Sequence, residues 1–174
     1  VLLLPEEVSF SADGSVSGGG LETRVVTPSA PLDGGAFSFS AWISCANPNG
    51  NYPRIFDLGR GKLADNVFLT FGKYGDKTMH YRVFHGATSQ GQVTTEDDFP
   101  TNTWVLVQVI HRADESVSIY WDGVEKASGT IALPLVMTMA TPRTWYLGKN
   151  HWVNEDDFHG KMKGVAFFNS EMRV

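Results

Sequence analysis

Cysteine is almost missing from this 174-residue chain: Cys45 stands alone. A single thiol cannot close an internal disulfide or supply a multi-thiolate metal site, and just beyond an apolar strand it reads as a small buried hydrophobe. Long apolar runs are lacking too. Val1-Leu2-Leu3-Leu4 is stopped by Pro5 and two glutamates. No stretch approaches the ~18 to 20 residues that cross a bilayer, so no membrane span is expected. Basic clusters are absent: the net charge is −5, and Lys161-Met162-Lys163 is the nearest approach to a patch. Without that electrostatic footprint, nucleic acid is not an expected partner. The chain begins at Val1 without Met, shows no recognisable signal peptide and carries no Asn-x-Ser/Thr acceptor. It reads as a processed chain or a module of something longer.

Several catalytic signatures are missing as well. His80, His85, His111, His151 and His159 are scattered, with no His-Glu-x-x-His spacing among them, and no Gly-x-Ser-x-Gly elbow occurs. Gly18-Gly19-Gly20 follows no strand-helix unit, so it is not a phosphate cradle.

Against these absences stand 42% hydrophobic residues, five Trp and eleven Phe, with 19% charged residues. That is the composition of a folded domain, and the length suits a single domain over residues 1–174. Apolar residues alternate or cluster in short runs, separated by turn chemistry such as Asp13-Gly14, Asp33-Gly34-Gly35, Pro48-Asn49-Gly50-Asn51 and Asp122-Gly123. The pattern predicts strands at 8–12, 22–26, 37–44, 54–59, 67–73, 79–85, 92–95, 104–111, 116–122, 144–147 and 160–169, with at most one helical turn after the last. Many short strands at near-even spacing indicate a sandwich or barrel. Val117, Ile119 and Trp121 alternate with Ser118, Tyr120 and Asp122, so the first set is expected inside and Tyr120 outside.

Three ordered fragments carry a family resemblance. Phe37-Ser38-Phe39-Ser40-Ala41-Trp42-Ile43 is the first. Trp104 to Val109, followed by Val117-Ser118-Ile119-Tyr120-Trp121-Asp122-Gly123, is the second. Tyr146-Leu147-Gly148, followed by Asp157-Phe158-His159-Gly160-Lys161-Met162, is the third. In order and spacing they resemble the laminin-G-like domains of the concanavalin-A-like lectin/glucanase superfamily. The resemblance implies an all-β fold, a two-sheet antiparallel jelly-roll sandwich, and an extracellular or surface-associated setting. It departs at Leu106, where the family commonly has His, and at Met162-Lys163-Gly164, where an acidic pair is common. Trp42 and Trp104 are expected to fill the inter-sheet core, and Asp122-Gly123 to form a hairpin turn with positive φ.

Glucanases of that superfamily share a Glu-x-Asp-x-x-Glu strand supplying two catalytic carboxylates, and nothing here reproduces it. Glu96-Asp97-Asp98 and Glu155-Asp156-Asp157 are consecutive, so neighbouring acids would point to opposite faces of a strand. No enzymatic activity is expected. Loop acids can instead hold calcium, which takes six to eight oxygens, and many relatives bind it at a sandwich edge. Asn150, Asn154, Asp156 and Asp157 are the candidate calcium ligands, joined by Asp13 because first and last strands are neighbours in this family. Sugar rings stack on exposed aromatics, which makes Trp152 the leading contact candidate, with His151 beside it. Tyr52 with Asn49 and Asn51 in the preceding loop, and Tyr120, are the further candidates. The expected function is a non-catalytic module binding a glycan or a protein surface through sandwich-edge loops. The alternative is an assembly subunit contacting its neighbours in an extracellular, surface or viral complex, and a glycan-cleaving enzyme ranks third.

Overall fold

The computed structural model describes residues 2–4, 8–10, 16–17, 34–134 and 144–174. Every regular element among them is a β-strand: β1 Leu2–Leu4, β2 Val8–Phe10, β3 Val16–Ser17, β4 Phe37–Ser44, β5 Arg54–Gly59, β6 Val67–Phe71 and β7 Met79–His85. The series continues with β8 Thr88–Thr94, β9 Val105–His111, β10 Ser116–Trp121, β11 Val124–Thr130, β12 Thr144–Leu147 and β13 Gly160–Phe168. All pairings between these strands are antiparallel, and a lone parallel bridge joins Arg54 to Asp157. The larger sheet runs β11-β10-β9-β4-β13-β2-β3, with β1 also on β13, and the smaller runs β12-β5-β6-β7-β8. This is the antiparallel two-sheet sandwich that the family resemblance implied.

Alternation decides what lies between the sheets. Phe37, Phe39, Ala41 and Ile43 of β4 point inward, as do Val105, Val107 and Val109 of β9 and Val117, Ile119 and Trp121 of β10. Against them lie Phe56 and Leu58 of β5, Val67, Leu69 and Phe71 of β6, and Met79, Tyr81 and Val83 of β7. Phe56 is the aromatic bridge. Its ring centroid lies 4.7 Å from that of Phe39 and 5.3 Å from that of Phe167, both on the opposite sheet.

Trp42 and Trp104 do not fill this core. Trp42 follows Ala41 in a strand whose odd-numbered residues face inward, so its ring is on the outer face and 38% exposed. Trp104 precedes the inward Val105 and is half-buried, with the Lys163 ammonium 4.2 Å over its ring. Phenylalanines from both sheets occupy the space instead.

The Asp122-Gly123 turn has φ of 49° and 79°, both in the left-handed region that a two-residue hairpin needs. It leads into β11, a strand that the hydrophobic pattern does not reveal because this edge strand is mostly exposed. β1 and β3 are likewise short and unpredicted, while the expected strand at 22–26 lies outside the described residues. The residues after β13 form no helix. Ser38 Oγ donates to Ser170 O at 2.7 Å and accepts from Met172 N at 3.1 Å, so the tail is tied across β4. Cys45 is buried, and burial pushes its thiol up to about 11, leaving it protonated and unreactive at neutral pH.

One polar pair sits inside the sandwich. His111 Nε2 lies 2.8 Å from the Ile131 carbonyl, so it carries the proton, and bare Nδ1 accepts from Tyr81 OH at 3.1 Å. Burial lowers the His111 pKa below its ordinary 6.5, offset in part by the Ile131 bond and Glu115. His80 is lowered for the same chief reason.

Two outcomes follow from this core. Phe56→Ala should lower unfolding free energy by about 3 to 5 kcal/mol in urea titration. Both histidines bind protons more weakly folded than unfolded, so stability should fall as pH drops below about 6.5 and through the folded pKa values. Melting temperatures across pH 5 to 7.5 check this, and Tyr81→Phe should make the loss shallower by removing the hydroxyl bond that favours the neutral His111 ring.

Candidate functional site

Sheet alternation also builds the outer face of the smaller sheet. Successive outward residues form one row across the strands, Tyr146, Asp57, Phe68, Arg82 and Gln92, and a second row of Arg54, Thr70, His80 and Thr94. A polar face with two arginines and a carboxylate is unusual for strands as buried as β5 and β6. The explanation is the loop 149–157, which folds back over it.

Asp57 holds that loop down. Its carboxylate, 0% exposed, accepts from Asn66 Nδ2 at 2.9 Å and from the backbone N of His151 at 3.1 Å. His151 Nδ1 lies 3.1 Å from its other oxygen, and Arg54 Nε stands 3.8 Å away. Gly59 makes room for this arrangement: a Cβ there would meet Asn66 Nδ2 at 2.4 Å. Arg54, 2% exposed, is clamped from the other side by Glu155 and stacks over Phe68 at 4.0 Å and Trp152 at 5.0 Å. Burial lowers the Arg54 pKa and raises that of Glu155, and each is partly restored by the other's charge.

Within the loop, Asn150 works as an internal staple. Its Nδ2 donates to the carbonyls of Glu155 at 2.9 Å and Asp156 at 3.2 Å, and its Oδ1 accepts from Trp152 N at 2.6 Å. A second zipper joins the loop to residues 49–52. Asn51 N donates to Asp156 Oδ2 at 2.7 Å, Asp156 N returns a bond to Asn51 O at 2.8 Å, and Asn51 Nδ2 donates to the Asn154 carbonyl. Tyr52 takes a left-handed φ of 55°, with its carbonyl held by Arg54 Nη1 at 3.2 Å and its ring 6.4 Å from that of His80. Asn49 is exposed and accepts from Gly75 N through its side chain.

The structure therefore brings Trp152, His151, Tyr52, Asn49 and Asn51 to one edge of the smaller sheet. Tyr120 is elsewhere, on the outer face of the larger sheet, where its hydroxyl donates to Glu125 at 3.0 Å. Asn150, Asp156 and Asp157 spend side-chain atoms on the loop itself, and Asn154 contributes its carbonyl to Asn51. Asp13 lies outside the described residues. Among the described residues no group of three or more His, Cys, Asp or Glu side chains gathers as a metal site. Glu96-Asp97-Asp98 is in the exposed loop before β9, with Asp97 paired to Lys126 at 2.8 Å.

What remains open is an aromatic ledge beside a cleft. Trp152 is half-buried, its ring edge-on to Phe68 at 5.5 Å and 6.3 Å from Phe84. Next to it a cleft of about 400 Å³ is lined by Lys149, His151, Trp152, Glu155, Asp157 and His159, among others.

A family model described as concanavalin A-like lectin/glucanases superfamily (Laminin_G_3) matches residues 18–174. The chain belongs to that family. Its fold is shared by solved structures of low sequence identity. A candidate carbohydrate-binding protein of Bacteroides ovatus superposes with a TM-score of 0.66 at 17% identity, over 99% of this chain and 45% of that one. The heptameric SAP-like pentraxin of Limulus polyphemus matches at 0.60 and 11%, over 98% and 78%. The binding domain of botulinum neurotoxin DC in complex with SialylT matches at 0.61 and 13%, over 97% and 39%. The chain thus spans less than half the length of the first and third of these. A search of curated protein sequences found no match.

In this laminin-G-like domain the anchoring residues Arg54, Asp57, Asn66 and Glu155 escape a motif search. The signal available was a charged pair, Arg54 and Asp57, inside the otherwise apolar Ile55-Phe56-Leu58 run. Asp57→Ala would leave Arg54 and His151 facing an emptied buried site and should cost about 3 to 5 kcal/mol in urea titration. Exchange protection of the 149–157 amides should fall with it.

Proposed function

We propose that this domain is a non-catalytic recognition module that binds a glycan on the outer face of its five-stranded sheet, against Trp152 and the adjoining cleft. The observation that carries the reading is the half-exposed indole held over Phe68, Phe84 and Arg54 by a loop whose ends are tied to the sheet. An aromatic ring positioned before the ligand arrives loses little entropy on binding and offers a flat apolar surface to sugar C–H groups. Tyr52 and Asn51 border the same edge and supply polar groups for hydroxyls.

Family membership and structural relatives concerned with carbohydrate binding support this reading. Non-catalysis is supported by the carboxylates themselves. Asp57 and Glu155 are both engaged by Arg54, so neither is a free acid or base of the kind a glycosidase pair needs. In this reading the loop is closed by Asn150 and Asp156 rather than by a resident calcium ion.

A glycan array followed by calorimetry on the best ligand tests the proposal. Trp152→Ala should weaken binding about tenfold or more, since stacking of this kind contributes on the order of 1 to 3 kcal/mol. Addition of a chelator should leave affinity unchanged. An array without hits, or a Trp152→Ala variant that binds like the parent, would sink it.

A further inference from the structure

The outer face of the smaller sheet holds one guanidinium that, among the described residues, makes no hydrogen bond or ion pair to the loop, although its charge favours the Glu155 carboxylate. Arg82, at the centre of β7, is flanked across the strands by Phe68 and Gln92. Its guanidinium stands 5.5 Å from the Phe84 ring, and its Nε is buried without a hydrogen-bond partner. Among the described residues its guanidinium forms no ion pair and no hydrogen bond. Nearby carboxylates are already engaged: Asp57 by Arg54, Asn66 and His151, and Glu155 by Arg54. Asp76, by the second row, is engaged by Thr78 and His80.

A buried guanidinium nitrogen with no acceptor costs free energy, because it gives up hydration and gains only the Phe84 ring and the charge of Glu155 in exchange. Arginine is also the side chain best shaped to take a carboxylate or sulfate through two parallel N–H bonds. Its position relative to the aromatic ledge adds direction. Trp152, Phe84 and Arg82 are consecutive neighbours on the face, so a saccharide stacked on the indole extends across Phe84 to the guanidinium.

We propose that Arg82 reads an anionic group, and that the ligand of this face is an acidic sugar whose carboxylate or sulfate the guanidinium binds. This inference rests on the glycan reading above and narrows it to a ligand class. Gln92 and Thr94, whose side chains bond each other at 3.0 Å on the neighbouring strand, line the far side of the charge and face the sugar's hydroxyls.

The test is an array of carboxylated, sulfated and neutral oligosaccharides, followed by calorimetry of the parent, Arg82→Gln and Arg82→Lys. Acidic members should bind at least about tenfold more tightly than neutral ones of the same backbone, with affinity falling as salt rises. Arg82→Gln should abolish that preference while leaving residual binding that still depends on Trp152. Arg82→Lys, which keeps the charge and loses the fork, should fall between. The carboxylated and sulfated arms decide which anion is taken. Equal affinity for acidic and neutral members, or an Arg82→Gln variant with the preference intact, would overturn this inference and leave the glycan reading standing. An array with no hits would overturn both. Should Arg82→Gln fail to fold, the salt dependence of the parent protein and the lysine variant decide the matter.

Discussion

A carboxylate shut away from water organises the edge of this molecule where residues 49–52 and 149–157 meet. Asp57 sits mid-strand in β5 on the side of the sheet that faces away from the core, where an unpaired charge would be prohibitive. Its position is tenable because Arg54, Asn66 and His151 converge on it. Two of those partners come from the sheet and its adjoining turn, and the third from a loop over ninety residues later in the chain. The ionic network therefore fastens the loop and places the indole of Trp152. Buried networks of this kind add little net stability compared with apolar packing, but they penalise every alternative placement of the loop.

The two faces of the smaller sheet divide the labour. Inward, Phe56, Leu69 and Tyr81 join the aromatic and aliphatic packing that holds the sheets together. Outward, the same strands present Arg54, Phe68 and Phe84, buried beneath the loop and its Trp152, and Arg82, which is partly exposed. Period-two alternation makes this division possible without conflict, since neighbouring residues serve opposite faces. A recognition surface built on strands rather than free loops is also stiff, which suits binding that relies on preplaced rings and a fixed guanidinium.

Much of the architecture was legible in the chain. β4, β5, β7 and β12 have the boundaries their alternation implied, because strong apolar periodicity and explicit turn residues leave little choice. β11 was not legible, since an exposed edge strand needs backbone pairing and no hydrophobic face. Trp42 was misplaced because a large ring suggests a core, whereas the phase of Phe39, Ala41 and Ile43 decides which side it takes. The loop aromatics and polar residues stood out by composition. Their partners did not, because Asp57, Asn66 and Asn150 are ordinary residues until the chain folds back on itself.

The amino-acid sequence by itself determined an antiparallel sandwich, the inward set of its central strands, the left-handed Asp122-Gly123 turn and the lack of a glucanase carboxylate strand. These are local properties: period, turn chemistry and spacing along the chain. Tertiary structure alone decided that residues 49–52 and 149–157 form one edge, that Tyr120 lies on the other sheet, and that Asn150 and Asp156 close a loop. It also decided that Arg54 takes both nearby carboxylates as ion-pair partners and that Arg82 has none among the described residues. Which charge meets which depends on contacts between residues far apart in the chain, and those distances exist only once the sheets have packed.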